Sequence, residues 1–121
     1  MSVYTYKLAN GTDFPCFPGV YLLYNFTTNN THHCFPIFKT TNLTTTLSDG
    51  SLDTTTQRVM VIPGFRCQLY SSASATTLMD TPNDLSNNTT TNPTIFDILN
   101  NELRYIKIYF GSTSAGWTEI T

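Results

Sequence analysis

Apolar and polar positions alternate along much of this chain, with the period of two that a half-buried strand requires. Val3-Tyr4-Thr5-Tyr6-Lys7-Leu8 puts Tyr4, Tyr6 and Leu8 on one face, and Asn10-Gly11 then signals a turn. Val20-Tyr21-Leu22-Leu23-Tyr24 is a β-rich run opened by Pro18-Gly19. His33-Cys34-Phe35-Pro36-Ile37-Phe38-Lys39 reads as a strand that Pro36 confines to a sheet edge or a bulge. Arg58-Val59-Met60-Val61-Ile62 is another strand, closed by Pro63-Gly64. Phe65-Arg66-Cys67-Gln68-Leu69-Tyr70 and Leu103-Arg104-Tyr105-Ile106-Lys107-Ile108-Tyr109 alternate cleanly. One segment breaks the pattern. Asn92 as cap, Pro93 at the first helical position, and Ile95, Ile98, Leu99 and Leu103 at i, i+3, i+4 and i+8 predict a helix of one or two turns. Residues 40–46, 54–56 and 83–91 read as polar loops or edge strands.

The chain also repeats itself. A shift of 46 residues lays Tyr24 on Tyr70, Asn42 on Asn88, Arg58 on Arg104, Met60 on Ile106 and Ile62 on Ile108. Each half reads as Pro-Gly, a strand ending in Leu-Tyr, a polar hairpin, a second strand, a Thr/Asn loop and an apolar strand. Four strands per half, paired non-sequentially, make a Greek key. Two such motifs face to face predict an all-β fold: a single β-sandwich of about eight strands over residues 1–121. Repeat one spans about 16–62 and repeat two about 63–110. The arms 1–15 and 111–121 add strands to the sandwich or dock on a neighbouring subunit.

With these motifs the chain resembles the βγ-crystallin family. The second half opens as Pro63-Gly64-Phe65-Arg66-Cys67-Gln68-Leu69-Tyr70, and closes as Asn100-Asn101-Glu102-Leu103-Arg104-Tyr105-Ile106-Lys107-Ile108. The resemblance covers about residues 16–110 and implies a paired Greek-key repeat. A generic Greek-key sandwich, immunoglobulin-like or jelly-roll, is the alternative. The family's glycine six residues after the hairpin tyrosine is Asn30 in the first half and Thr76 in the second, and threonine adopts positive φ poorly. Microbial members bind calcium through an Asn/Asp pair, backbone carbonyls and a Ser/Thr hydroxyl. Here the pair is Asn100 and Asn101, and Arg104 stands at the hydroxyl position. The counterpart in the first half is Thr54, Thr55 and Arg58, without a carboxylate. Calcium takes six to eight oxygens, several of them charged, so both loops read as degenerate and no metal or other cofactor is expected. The two arginines are expected to bond loop carbonyls instead.

Composition narrows the function. Charged residues make up only 12% of the chain, about half the ordinary ~25%. With 23 Thr, 11 Asn and 9 Ser, the surface is neutral and polar. At net charge −2 there is no basic footprint for nucleic acid or an anionic membrane. No apolar run approaches the ~20 residues of a membrane helix, and Met1 to Lys7 does not read as a signal peptide. Six Asn-x-Ser/Thr sequons, at Asn10, Asn25, Asn29, Asn42, Asn87 and Asn88, follow from composition. The three cysteines, Cys16, Cys34 and Cys67, read as buried thiols with at most one pair. His32-His33-Cys34 lacks a second pair of ligands for a metal. No Cys/His signature and no Gly-rich phosphate loop accompany these residues, so no enzyme is expected.

Of the 16 aromatics, Tyr24, Phe35, Phe38, Phe65, Tyr70, Phe96 and Tyr105 are expected in the core. Tyr4, Tyr6, Phe14, Phe17, Tyr109, Phe110 and Trp117 lie outside the repeat or at its end, and are the candidates for contact with a partner. A low-charge surface lowers the desolvation cost of packing against neighbours. The expected function is therefore that of a non-enzymatic assembly protein, such as a minor capsid or cement-like component of a virion, with other protein subunits as partners. Two alternatives stand beside it. One is a soluble, cytoplasmic stress or storage protein of the crystallin type, with weak or lost calcium binding. The other is a secreted binding or inhibitor module.

Overall fold

The computed structural model describes residues 4–7, 13–24, 33–45, 56–80, 82–89, 92–98 and 102–121. Within them the chain forms eleven strands and one three-residue 3-10 turn, Leu43–Thr45. The strands are β1 (Tyr4–Lys7), β2 (Asp13–Cys16), β3 (Val20–Tyr24), β4 (His33–Ile37), β5 (Thr41–Asn42) and β6 (Thr56–Val61). They continue with β7 (Phe65–Tyr70), β8 (Asp84–Ser86), β9 (Thr94–Asp97), β10 (Tyr105–Ser112) and β11 (Gly116–Glu119).

Two antiparallel sheets form an all-β sandwich. One has the order β4-β3-β6-β9; the other runs β11-β10-β7-β8, with β5 also on β10. Alternation sends one set of side chains inward from each sheet. Val20, Leu22, Ile37, Val59 and Val61 from the first meet Cys67, Leu69, Leu85, Ile106 and Ile108 from the second. Leu43, Met79, Ile98 and Leu103 close the ends of this core. Phe35, Phe65 and Phe96 pack against it as expected, whereas Phe38 is 52% exposed. Pro36 stands on β4, an edge strand, where its missing N–H costs no ladder bond.

The two halves are wired alike. β3 pairs with β4 and β6, and β7 pairs with β8 and β10. The third strand of each half crosses to the other sheet: β9 lies on β6, and β5 lies on β10. Gly19 and Gly64, both at positive φ, mark equivalent points, and their carbonyls accept the N–H of Ile62 and Gly111 respectively. This sets Arg58 opposite Lys107 in the repeat rather than Arg104. It also corrects the 46-residue match, which lays outward-facing Met60 on inward-facing Ile106; a slip of one residue exchanges the faces of a strand. Asn42 matches Asn87, not Asn88. Both accept from the backbone N–H and the hydroxyl of the threonine two residues on, at 3.1 and 2.6 Å for Thr44, and 3.0 and 2.6 Å for Thr89.

The segment read as a helix is strand β9. Its Ile95 and Phe96 serve opposite faces, because β6 offers a free edge whose backbone groups need partners. The hairpin after β7 solves the missing glycine one position early. Ala75 takes φ +57°, and Thr76 donates its N–H to the Ser72 hydroxyl at 3.0 Å.

The arms take different routes. β11 pairs with the end of β10, so the C-terminal arm adds a strand to the sandwich, end to end with β5 along one edge of β10. β1 and β2 form a two-stranded sheet of their own. Cys16 packs with Tyr21, Met60 and Ile62 on the outer face of the four-stranded sheet. Cys16 and Cys67 are both buried, one outside that sheet and the other between the layers.

Candidate functional site

The outer face of β11-β10-β7-β8 gathers most of the unusual chemistry among the described residues. Because Cys67, Leu69, Ile106 and Ile108 point inward, Arg66, Gln68, Tyr70, Tyr105, Lys107 and Tyr109 must point outward. The register sets Ser86, Arg66, Tyr109 and Glu119 in one row across four strands, with Asp84, Gln68 and Lys107 in the next. Tyr70, Tyr105 and Asn42 make a third row, and Trp117 lies beside Gly111 at the far end.

These side chains hold one another. Arg66 grips Asp84 with two parallel bonds of 2.8 Å, from Nε to Oδ1 and from Nη2 to Oδ2. Its guanidinium also lies over the Tyr109 ring, 4.8 Å from the centroid. The hydroxyls of Tyr109 (2.7 Å) and Tyr70 (3.3 Å) both donate to Gln68 Oε1. Tyr70 meets Tyr105 edge to face at 6.2 Å, and Lys107 Nζ sits 5.3 Å from the Tyr70 ring. Tyr70 is buried, but beneath this outer cluster rather than between the sheets.

The titratable groups are driven away from neutrality. The Arg66 hydrogen bonds lower the Asp84 carboxyl below the usual range, and Gln68 adds to this. Asp84 in turn raises Arg66. Tyr70 raises Lys107, and burial followed by the Glu119 charge raises the Tyr109 phenol. Burial pushes the Cys67 thiol up, away from the thiolate a nucleophile needs. General acid–base chemistry near pH 7 uses shifts of the opposite sense.

Tyr109 and Trp117, both candidates from the sequence, are brought onto this face. Phe110 points to the other side of β10 and is 49% exposed at the end of the sandwich. Tyr4 and Tyr6 lie in β1 and Phe14 in β2, where Tyr6 is directly opposite Phe14. Phe17, just after β2, is 47% exposed. Arg66, Gln68, Asp84 and Lys107 were not singled out as site residues. Alternation about Cys67 and Leu69 was the signal that places the β7 members outward.

No known protein family matches the chain, and neither does any curated protein or solved structure.

Of the calcium-like loops, Asn100, Asn101, Thr54 and Thr55 lie outside the described residues. Arg104 donates from Nη1 to the carbonyl of its neighbour Leu103 at 3.1 Å. Arg58 reaches the Asp97 carboxylate at 3.0 Å on the outer face of the other sheet. Among the described residues, no three His, Cys, Asp or Glu side chains converge as metal ligands. No helix there is long and apolar enough to cross a membrane.

Proposed function

We propose that this chain is a non-enzymatic structural protein that packs against neighbouring subunits of an assembly, such as the coat of a virion, through the outer face of β11-β10-β7-β8. The observation that carries the reading is the chemistry of that face. Tyr105, Tyr109, Trp117 and Arg66 are only half-buried there, although hydrogen bonds and stacking already fix Tyr109 and Arg66. Tyrosine, tryptophan and arginine are the residues enriched in the cores of protein interfaces. Side chains held before contact lose less entropy on binding. The Arg66 charge is already paired, so a partner need not supply a counter-ion. Light scattering across a concentration series tests this. The unmodified chain self-associates or binds its co-purifying subunit, and the double substitution Tyr109→Ser, Trp117→Ser weakens that association at least tenfold while leaving the fold intact. A strict monomer that binds no subunit of its native assembly would sink the proposal.

The matched wiring of the two halves favours a second reading, a soluble stress or storage protein built like a βγ-crystallin with its calcium chemistry weakened. Calcium titration followed by melting separates the two. A rise of several degrees at millimolar calcium supports the crystallin reading, and an unchanged melting temperature leaves the assembly reading in place.

A further inference from the structure

Where the two sheets part at the β4 edge, the surface is an apolar groove. Strand β4 ends the first sheet, and residues 38–40 carry the chain across to β5 on the second. There the Thr40 N–H donates to the Ile120 carbonyl at 2.8 Å, and the Ile120 N–H donates to the Ile108 carbonyl at 2.9 Å. The crossing is thus bonded to the segment that follows β11, and the groove they line together with β4 holds about 440 Å³. That volume lies in the range of small-molecule sites, about 300–1,000 Å³.

Its walls are apolar. Phe35 and Ile120 pack against the core and stay half-buried, Pro36 is exposed, and Phe38 is 52% exposed. The Phe38 ring is backed by Gly19, where a Cβ would fall 2.9 Å from it, so this wall stands in place before any ligand arrives. Polar groups are few. The Thr41 hydroxyl is already turned to the Lys39 carbonyl at 2.7 Å. Lys39, exposed at the rim, is the single charged side chain of the lining.

Two features select the occupant. A strand from another chain needs backbone donors along this edge, and Pro36 has none to offer. A ligand that makes no backbone bonds suits the groove better, with an apolar body for the rings and one negative charge for Lys39. We infer that this groove binds a monomeric anionic amphiphile, of which a fatty carboxylate is the simplest. Its alkyl chain lies along Phe35, Phe38 and Ile120, and its carboxylate meets the Lys39 ammonium. The site is separate from the outer-face cluster around Tyr109 and does not rest on the assembly reading.

Calorimetric titration of the unmodified chain with octanoate, decanoate and decanol, each below its micelle concentration, tests the site. Binding saturates at one ligand per chain. Each buried methylene tightens it by up to about fourfold, so decanoate exceeds octanoate by up to about fifteenfold. Decanoate also binds more tightly than decanol, and Lys39→Gln abolishes that difference. Phe38→Ser weakens both by roughly tenfold. In the unmodified chain, the amide NMR shifts caused by decanoate centre on Ile37, Phe38, Lys39, Thr41 and Ile120, a readout that stands even where a variant fails to fold. No saturable binding, shifts centred elsewhere, or equal affinity for decanol and decanoate overturns the inference. So does binding to phosphatidylglycerol vesicles without binding to decanoate, which makes the groove a membrane contact instead.

Discussion

Asn87 is the only polar side chain among the described residues that is fully buried, at 1% exposure, and its removal gives a demanding test of the packing described above. Its amide donates to the carbonyls of Val61 (2.8 Å) and Asn92 (2.9 Å), and its Oδ1 accepts from the Thr89 N–H and hydroxyl. In Asn87→Ala, water can reach the exposed Thr89 and Asn92 groups. The Val61 carbonyl, on a buried strand, loses its amide partner. An unsatisfied buried group costs about 1–3 kcal/mol. The hole left by the amide adds about 1 kcal/mol. The sum is about 3 kcal/mol, and unfolding entropy scaled to this length makes it a fall of about 12 °C in melting temperature. Asn42→Ala is the internal control. It removes the matching Thr44 bonds, but its amide bond to Ala73 is long (3.4 Å) and the site is half-exposed, so about 1 kcal/mol is expected. Urea and thermal unfolding of both variants decide the matter. Equal losses, or less than about 1 kcal/mol at Asn87, would refute the view that burial sets the cost. Asn87→Asp sharpens the test, since it turns a carboxylate toward two carbonyls. Its folded pKa must rise above the unfolded value, so this variant recovers stability as pH falls from 7 to 4.

Three further outcomes follow from local geometry. Ala75→Gly relieves the left-handed backbone in the second hairpin and raises stability by about 0.5–1 kcal/mol, while Ala75→Val lowers it by about 1 kcal/mol, as urea midpoints will show. Because Arg66 lowers the Asp84 pKa, the ion pair's contribution is present above the unfolded carboxyl pKa and lost as pH falls through the folded one; Asp84→Asn should remove that acid-side loss, with an effect of only about 0.5–1 kcal/mol at pH 7 since the carboxylate is 44% exposed. Gly111→Ala would drive a methyl into the Gly116 carbonyl, detaching β11 and red-shifting the emission of Trp117, the single tryptophan.

Alternation located the long strands well. Val20–Tyr24 and Phe65–Tyr70 stand at their expected bounds, and β4, β6 and β10 differ from expectation only at their ends. The short strands are less sharply marked: β5 has two residues and β8 three, within the stretches 40–46 and 83–91 that read as polar loops or edge strands because no period can be counted there. β9 was mistaken because four apolar residues at helical spacing say nothing about an unpaired edge elsewhere, and the β6 edge decided the matter. The sheet face was half legible. Tyr109 and Trp117 stand out in the sequence as aromatics, whereas the outward placement of Tyr70, which is buried, and of Tyr105, which is half-buried, follows from strand parity and not from aromatic character. Arg66 and Asp84 are 18 residues apart, and only the pairing of β7 with β8 makes them neighbours.

The crossing of β5 and β9 bears on the order in which this chain can be made. During synthesis the first sheet has β3, β4 and β6 early, yet it stays open until Thr94–Asp97 emerges to cover the β6 edge. The second sheet holds β5 in waiting from the start, but the strand it pairs with, β10, arrives last but one. Neither layer is complete while the ribosome is still working on the second half. Its closure depends on contacts distant in sequence, which slow folding. A nascent chain stopped near residue 90 therefore carries two unfinished sheets rather than one finished domain, and is expected to be cut by protease along its whole length.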